Sequence, residues 1–105
     1  MIVFHLAFAA DWDEARRAGA YRMSTRGRTL DEEGFVHCSR ADQVATVAAN
    51  YYAGATDLVL LHVDTDRLTS EVRVERVGED EYPHVYGPID VDAVVEVTPY
   101  EAPAG

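Results

Sequence analysis

The sequence predicts an α+β domain in which a small, mixed and mostly antiparallel β-sheet packs against two helices. Two segments with apolar residues at helical spacing lie in the first half of the chain, and three strand-like segments follow in the second half. The composition, 48% hydrophobic and 27% charged, is typical of a globular chain. A length of 105 residues suits one domain, residues 1–105, with one core.

The first predicted element is a strand over residues 2–6. Apolar side chains alternate there, so that Ile2, Phe4 and Leu6 share one face and His5 lies on the other.

A short helix is predicted over residues 12–18. Asp11 and Glu14 have the spacing of a capping box, and Gly19 provides the stop. Residues 20–34 show no clear periodicity, and we expect a long loop that crosses one end of the fold.

A short strand and the second helix follow. Residues 33–39 predict a turn, a short strand and a helix cap, and Ser39 with Asp42 again has the spacing of a capping box. The helix is predicted over residues 40–53, with Gly54 as its end.

The second half of the chain predicts three strands. Residues 57–64 carry a nearly continuous apolar run, which favours a central strand. Residues 71–76 alternate, with their valines predicted to point inward, and residues 93–98 form the last strand. Prolines and a glycine predict an irregular loop over residues 82–88. We expect residues 100–105 to form a flexible tail.

The charge of the chain excludes some partners. The net charge is −10, so nucleic acid and anionic membranes are not expected as partners. Residues 1–56 hold seven acids and six arginines, a net of −1, whereas residues 57–105 hold twelve acids and three arginines, a net of −9. The arginines between residues 16 and 28, followed by Arg40, either receive a small anion or pair with nearby acids.

Cysteine content and hydropathy point to a cytoplasmic protein. Cys38 is the only cysteine, so no disulfide forms within the chain. No apolar run has the length of a membrane span, and the first residues lack the basic flank of a signal peptide.

Four segments hold the candidate reactive groups: His5, the pair Tyr21 and Arg22, residues 37–40 and residues 82–88. Residues 37–40 lie where a strand meets a helix, so they form either an anion seat beside His37 or a plain helix cap.

Residues 82–88 place two tyrosines and His84 in a proline-braced segment. This segment suits stacking on a flat ligand ring, or it is a structural turn. The four histidines and Cys38 lack the spacing of metal ligands, so no metal site is predicted.

These motifs resemble the domain-of-unknown-function 952 family, and the resemblance spans nearly the whole chain. The matching residues are Val3-Phe4-His5, Trp12, Ala15, Gly19, Glu33-Gly34-Phe35-Val36-His37-Cys38-Ser39, Gln43, Leu58-Val59-Leu60-Leu61 and Tyr82-Pro83-His84-Val85-Tyr86-Gly87-Pro88. That family is distantly similar to the ADP-ribosyltransferase-like fold. The resemblance therefore implies this fold and a cleft for NAD or a related nucleotide, and it leaves open a different ligand.

The resemblance also implies roles for individual residues. His5 corresponds to a first-strand histidine that contacts a ribose, and His37 and Ser39 correspond to the second-strand position. His84 and Tyr86 stand where a late glutamate is expected, and the nearest acids along the chain are Glu81 and Asp90. This departure counts against ordinary protein ADP-ribosylation.

Three hypotheses about function follow from the sequence. The first is a small-molecule enzyme, an NAD-utilising transferase or hydrolase without the usual late glutamate. Its catalytic residues would be His37 and His84, and its ligand-binding residues would be His5, Tyr21, Arg22, Ser39, Arg40 and Tyr86. The second is a non-catalytic binding module for a small anionic ligand. The third is an interaction protein whose histidines and tyrosines serve packing, with a large apolar patch on its surface.

Overall fold

The computed structural model describes all residues from 1 to 105 and has an α+β fold with ten short strands. The strands are β1 (Ile2–Phe8), β2 (Ala20–Tyr21), β3 (Met23–Thr25), β4 (Arg28–Thr29), β5 (Val36–His37), β6 (Leu58–Asp64), β7 (Glu71–Val77), β8 (Asp80–Tyr86), β9 (Ile89–Asp90) and β10 (Val94–Tyr100). The helices are α1 (Ala9–Ala18), α2 (Leu30–Glu33) and α3 (Val44–Tyr51). Single 3₁₀ turns span Ala41–Gln43, Thr65–Arg67 and Val91–Ala93.

Two three-stranded sheets form the framework. In one sheet β6 lies between β1 and β10, and in the other β8 lies between β5 and β7. A bridge between Phe4 and Ser39 joins the sheets, with each backbone N–H donating to the other residue's carbonyl at 2.8 Å. All strand pairings are antiparallel, so the predicted mixed sheet is wrong in that detail.

Two hydrophobic clusters cover the two faces of β1. Val3 and Ala7 belong to the larger cluster, whereas Leu6 packs with Ala48 of α3 and with Tyr52 in the smaller one. The predicted alternation of β1 is therefore confirmed. The predicted central position of the apolar strand β6 is confirmed as well.

Helix α1 begins earlier than predicted. It starts at Ala9, directly after β1, and its N-cap residue Phe8 makes no side-chain capping bond. The predicted capping box at Asp11 is therefore wrong, because Asp11 already lies inside the first turn. The predicted end is confirmed, since Gly19 adopts φ 93° and donates its N–H to the carbonyl of Ala15.

Residues 20–34 were expected to form one loop, and this is wrong. They form β2, β3, β4 and the single-turn helix α2. The capping box that starts α2 is visible in the sequence: the N–H of Thr29 donates to Glu32 Oε1 at 2.8 Å, and the N–H of Glu32 donates to Thr29 Oγ1 at 3.2 Å.

The second predicted helix is shorter and starts differently. The 3₁₀ turn precedes α3, and Arg40 is the cap residue, with its N–H donating to Gln43 Oε1 at 2.9 Å. Ser39 was expected to be the cap, but its backbone is committed to the bridge with Phe4. Thus α3 spans Val44–Tyr51 rather than residues 40–53.

The segment expected to be irregular, residues 82–88, is mostly strand β8. The carbonyl of Pro83 accepts from the N–H of Cys38 at 3.0 Å, just beyond the end of the two-residue strand β5. The nitrogen and the carbonyl of one strand residue point to the same neighbour, so the nitrogen of Pro83 also points toward Cys38 and away from β7. No bond to β7 is lost, which explains how a proline fits a central strand.

Two further predictions need adjustment. Val72 of β7 packs against the larger cluster as expected, but Val74 is 57% exposed because it lies beyond the edge of the core. The last strand runs to Tyr100, and the carbonyl of Pro103 accepts from the N–H of Gly54 at 2.8 Å.

No helix has both the length and the apolar character needed to cross a membrane.

Candidate functional site

A cleft of about 190 Å³ opens between α3 and the place where the two sheets meet. Its polar lining comes from β1, β8 and the segment around β5, and its mouth carries apolar and aromatic side chains. The lining residues are His5, Leu6, Thr25, His37, Cys38, Ser39, Val47, Asn50, Tyr51, Tyr52, Val77, Tyr82 and His84. Four of the sequence-predicted site residues, His5, His37, Ser39 and His84, therefore share one cleft.

His5 is buried, and both of its ring nitrogens have protein partners. Nδ1 lies 2.5 Å from the carbonyl oxygen of His37, and Nε2 lies 2.9 Å from the hydroxyl of Tyr21. A carbonyl can only accept, so Nδ1 carries the proton and Nε2 accepts from the Tyr21 hydroxyl. Burial lowers the pKa of His5 from 6.5 to about 4, so the ring is neutral at physiological pH.

Tyr21 thus acts behind the cleft rather than in its lining. Its side chain is 2% exposed, and burial raises the pKa of its hydroxyl well above 10. The structure therefore gives Tyr21 a contact with His5 in place of the predicted contact with ligand.

His37 is half-buried at the cleft and has an acidic partner. Gly34 adopts φ 87° at the end of α2 and turns the chain into β5. His37 Nε2 consequently lies 3.2 Å from Oε1 of Glu33, the last residue of α2. Burial lowers the pKa of His37, and the bond to Glu33 opposes this effect.

His84 lies deeper and has a carboxylate on one side only. Its Nδ1 is 2.9 Å from Glu75 Oε1, and the hydroxyl of Tyr86 donates to the same oxygen. The bonds from Tyr86 and His84 lower the pKa of Glu75, so its carboxylate is ionised and accepts from Nδ1–H of His84. The opposite nitrogen, Nε2, is buried and has no hydrogen-bond partner.

Aromatic packing fixes the two cleft histidines relative to each other. Phe35 stacks on His84 with 4.3 Å between ring centroids and meets His37 edge-on at 4.6 Å. The centroids of His37 and His84 are 5.1 Å apart. A ligand group in the cleft therefore meets two imidazoles held in one arrangement.

Cys38 and Ser39 complete the floor of the cleft. Burial raises the pKa of the Cys38 thiol to about 12, so it is an uncharged thiol and a poor nucleophile. The Ser39 hydroxyl lies 3.5 Å from the carbonyl oxygen of Phe4. No three His, Cys, Asp or Glu side chains gather closely enough to hold a metal ion.

The two arginines predicted to bind ligand lie outside this cleft, which corrects that prediction. Arg22 lines a separate surface groove and pairs with Asp31 at 3.3 Å. Arg40 donates to the carbonyl of Glu81 at 2.9 Å and pairs with Asp80 at 3.4 Å. Each guanidinium is paired with an acid, as in the alternative in which the arginines pair with nearby acids.

Tyr86 also lies outside the cleft lining, because its hydroxyl is committed to Glu75. The guanidinium of Arg73 covers its ring at 4.3 Å and pairs with Glu71 at 2.7 Å. Tyr86 therefore helps to position Glu75, the partner of His84, and does not line the cleft.

Sequence reasoning missed Glu75. The alternation of residues 71–76 predicts an outward side chain for Glu75, and the acids nearest to His84 and Tyr86 along the chain are Glu81 and Asp90. The antiparallel register places Arg73 opposite His84 and Glu75 opposite Tyr82, so Glu75 lies on the same face as the His84 ring. That β7–β8 pairing is visible only if residues 82–86 are recognised as a strand.

The arrangement supports proton transfer. An imidazole that donates one nitrogen to a carboxylate and leaves the other free can accept a proton and remain stabilised as an imidazolium. The imidazole of His37, whose centroid lies 5.1 Å from that of His84, can serve the opposite proton transfer.

Comparisons with known proteins agree with the fold. A family model described as "Protein of unknown function (DUF952)" matches residues 6–97. The crystal structure of protein CC0527 from Caulobacter crescentus is 28% identical, with a TM-score of 0.82, covering 93% of this chain and 84% of that one. Its double mutant gives 27% identity and a TM-score of 0.81 over the same shares of both chains.

The solution NMR structure of CC0527 gives 28% identity and a TM-score of 0.75, covering 92% of this chain and 82% of that one. No curated protein matches this chain. None of these comparisons supports the link to the ADP-ribosyltransferase-like fold. The family match covers most of the chain, so the chain belongs to the DUF952 family.

Proposed function

We propose that this chain is a small-molecule enzyme in which His84, held by Glu75, is the proton acceptor and His37 is the second acid–base group. The single observation that carries the proposal is the buried, unpartnered Nε2 of His84 opposite the bond to Glu75. Leaving a buried polar atom without a partner costs about 1–3 kcal/mol, so such atoms mark functional positions.

NAD or a related nucleotide is the proposed ligand, in line with the ADP-ribosyltransferase-like resemblance. A cleft of about 190 Å³ has room for one ring, since a cavity of about 150 Å³ holds benzene. The nicotinamide end fits this space, and the pyrophosphate would remain outside, where no lining arginine meets it. NAD supplies a glycosidic bond whose leaving group is nicotinamide.

The residues of this chain would act on the attacking group. His84 Nε2 would take the proton from a hydroxyl or a water molecule, and Glu75 would balance the resulting charge. Glu75 would thereby fill the role of the late carboxylate, although it precedes His84 in the chain. Ser39 and the His37 ring would orient the ligand.

The test is release of nicotinamide from NAD, followed by chromatography, with binding of NAD and ADP-ribose measured by calorimetry. We expect the wild-type protein to bind and to release nicotinamide, and His84→Gln to reduce the rate at least about 100-fold. His62→Gln is the matched control, because His62 bonds to Thr98 on the other sheet, outside the cleft. No heat and no release, or full activity in His84→Gln, would refute the proposal.

A non-catalytic module for a small anion draws less support. Arg22 and Arg40, which would bind the anion, are paired with acids outside the cleft. A ligand that binds and is recovered unchanged would favour that module over the enzyme.

A further inference from the structure

The side chains that line the cleft carry no net positive charge. No arginine, lysine, aspartate or glutamate is among them. Burial keeps His5 neutral and keeps the Cys38 thiol protonated. The charge of the lining therefore depends on His37 and His84 alone.

Each of these histidines has its own glutamate. His37 lies 3.2 Å from Glu33, and His84 lies 2.9 Å from Glu75. A protonated histidine with an ionised glutamate sums to zero, and a neutral histidine with the same glutamate sums to −1. Neither pair becomes positive while its glutamate is ionised.

Two of the arginines near the cleft are balanced by acids other than these two glutamates. Arg73 pairs with Glu71 at 2.7 Å, and Arg40 pairs with both Asp42 and Asp80. Arg28 lies 3.4 Å from Glu33 and partly offsets this carboxylate. Arg26, next to the lining residue Thr25, donates to the carbonyl of Ala53 at 3.3 Å and has no acidic partner, so it is an unbalanced cation near the cleft. The second half of the chain, which supplies β7 and β8, adds a net charge of −9.

The mouth of the cleft supplies aromatic faces. Tyr51 of α3, which is 56% exposed, and Tyr82 of β8 both line the cleft. Tyrosine faces attract cations through the ring quadrupole. The cleft volume of about 190 Å³ limits the group that enters to about one ring.

From these observations we infer that the cleft selects a single aromatic ring that carries a positive charge and discriminates against the same ring carrying a carboxylate. This inference rests on the proposed function in that both place the ligand in this cleft. It differs because it names the charge of the group that enters, whatever reaction follows.

The test is a titration of the ¹⁵N-labelled protein with three one-ring probes: benzylamine, benzyl alcohol and benzoate. Backbone amide shifts of Asn50, Tyr82 and His84 report binding in the cleft. We expect benzylamine, a cation at neutral pH, to bind about tenfold more tightly than benzoate, with benzyl alcohol between them. Benzoate binding equal to or tighter than benzylamine binding would overturn the inference, as would benzylamine that shifts no cleft residue.

A pair of variants tests the physical cause. Glu33→Gln removes the acidic partner of His37, and we expect the preference for benzylamine over benzoate to narrow about threefold or more. Glu96→Gln makes the same charge change on β10, away from the cleft, and we expect it to keep the wild-type preference. Equal preferences in the two variants would show that the His37 pair does not set the selectivity.

The two proposals fail separately. Charge selection by the probes without any reaction of NAD would leave this inference standing and remove the proposed NAD chemistry. Nicotinamide release combined with equal binding of the three probes would do the reverse.

Discussion

His5 shows how strongly a residue's partners constrain its role. Its Nδ1 donates to the carbonyl of His37, and its Nε2 accepts from Tyr21. With both nitrogens engaged, His5 positions the His37 backbone beside the cleft. The ribose contact that the resemblance implies for this first-strand histidine would require the bond to Tyr21 to be given up.

The burial of His5 predicts a dependence of stability on pH. Its pKa falls from 6.5 in the unfolded chain to about 4 in the fold, so the unfolded chain binds more protons between these values. The stability due to neutral His5 is fully present above pH 6.5 and is lost as the pH falls toward 4. The loss amounts to about 3 kcal/mol.

Urea denaturation at pH 7, 6 and 5 measures this effect. We expect the free energy of unfolding to fall less steeply with decreasing pH in His5→Gln than in the wild-type protein. NMR titration of His5 should place its pKa near 4. Parallel pH dependences, or a midpoint near 6.5, would show that His5 is not held as the structure indicates.

At the scale of elements, the β7–β8 hairpin forms one wall of the cleft through Val77 and Tyr82. Its turn is fastened by Gln43, which is 3% exposed. Gln43 Nε2 donates to Asp80 Oδ2 and to the carbonyl of Glu81, each at 2.8 Å. The 3₁₀ turn that precedes α3 therefore holds the β7–β8 hairpin in place through the side chain of Gln43.

Replacing Gln43 with leucine should loosen this wall. Gln43→Leu removes both donated bonds and leaves the Arg40 N–H without its acceptor, which costs about 1–3 kcal/mol of unfolding free energy. Hydrogen exchange should become faster at the amide of Glu81 and leave the β1–β6 amides little changed. Glu79→Gln, an exposed change at the same turn, should have no such effect. Equal protection of Glu81 in Gln43→Leu and the wild-type protein would contradict the fastening role.

The elements also show what a sequence can predict. The sequence predicts β1 and β6 well, because both strands bury side chains along most of their length. Strand β7 is predicted from its alternation alone, since none of its side chains is fully buried. Strands of two residues, such as β2 and β4, are too short to show a period. Pro83 made β8 unrecognisable as a strand in the sequence. A central strand tolerates a proline only where the neighbouring strand has already ended, and the sequence does not show where β5 ends.

At the scale of the whole molecule, the cleft depends on contacts between distant segments. The bridge of Phe4 to Ser39 brings β1 beside the segment that carries His37, and the β5–β8 pairing brings His84 beside His37. The sequence indicated which residue types carry chemistry, and it predicted that His5, His37 and His84 share one site. It did not reveal Glu75, because that contact depends on the register of β7 against β8.

The charge pattern has a simple basis at this scale. Most of the early arginines pair with acids, such as Arg16 with Asp13 and Arg17 with Glu14 on the exposed surface of α1. Such pairs contribute little to stability and neutralise the arginines that form them, whereas Arg26 donates to the carbonyl of Ala53 and has no acidic partner. The excess of acids lies on the later strands, among them the pair β7 and β8 that carries the partner of His84.

Glu75 holds His84 with Nδ1 protonated and Nε2 without a partner. Long-range ¹H–¹⁵N NMR of the imidazole, recorded at a pH where the ring is neutral, distinguishes the two tautomers directly. We expect the Nδ1–H tautomer for His84 in the wild-type protein and a loss of that preference in Glu75→Gln. A wild-type His84 whose proton resides on Nε2 would refute the proposed role of His84, because the nitrogen proposed to accept a proton would already carry one.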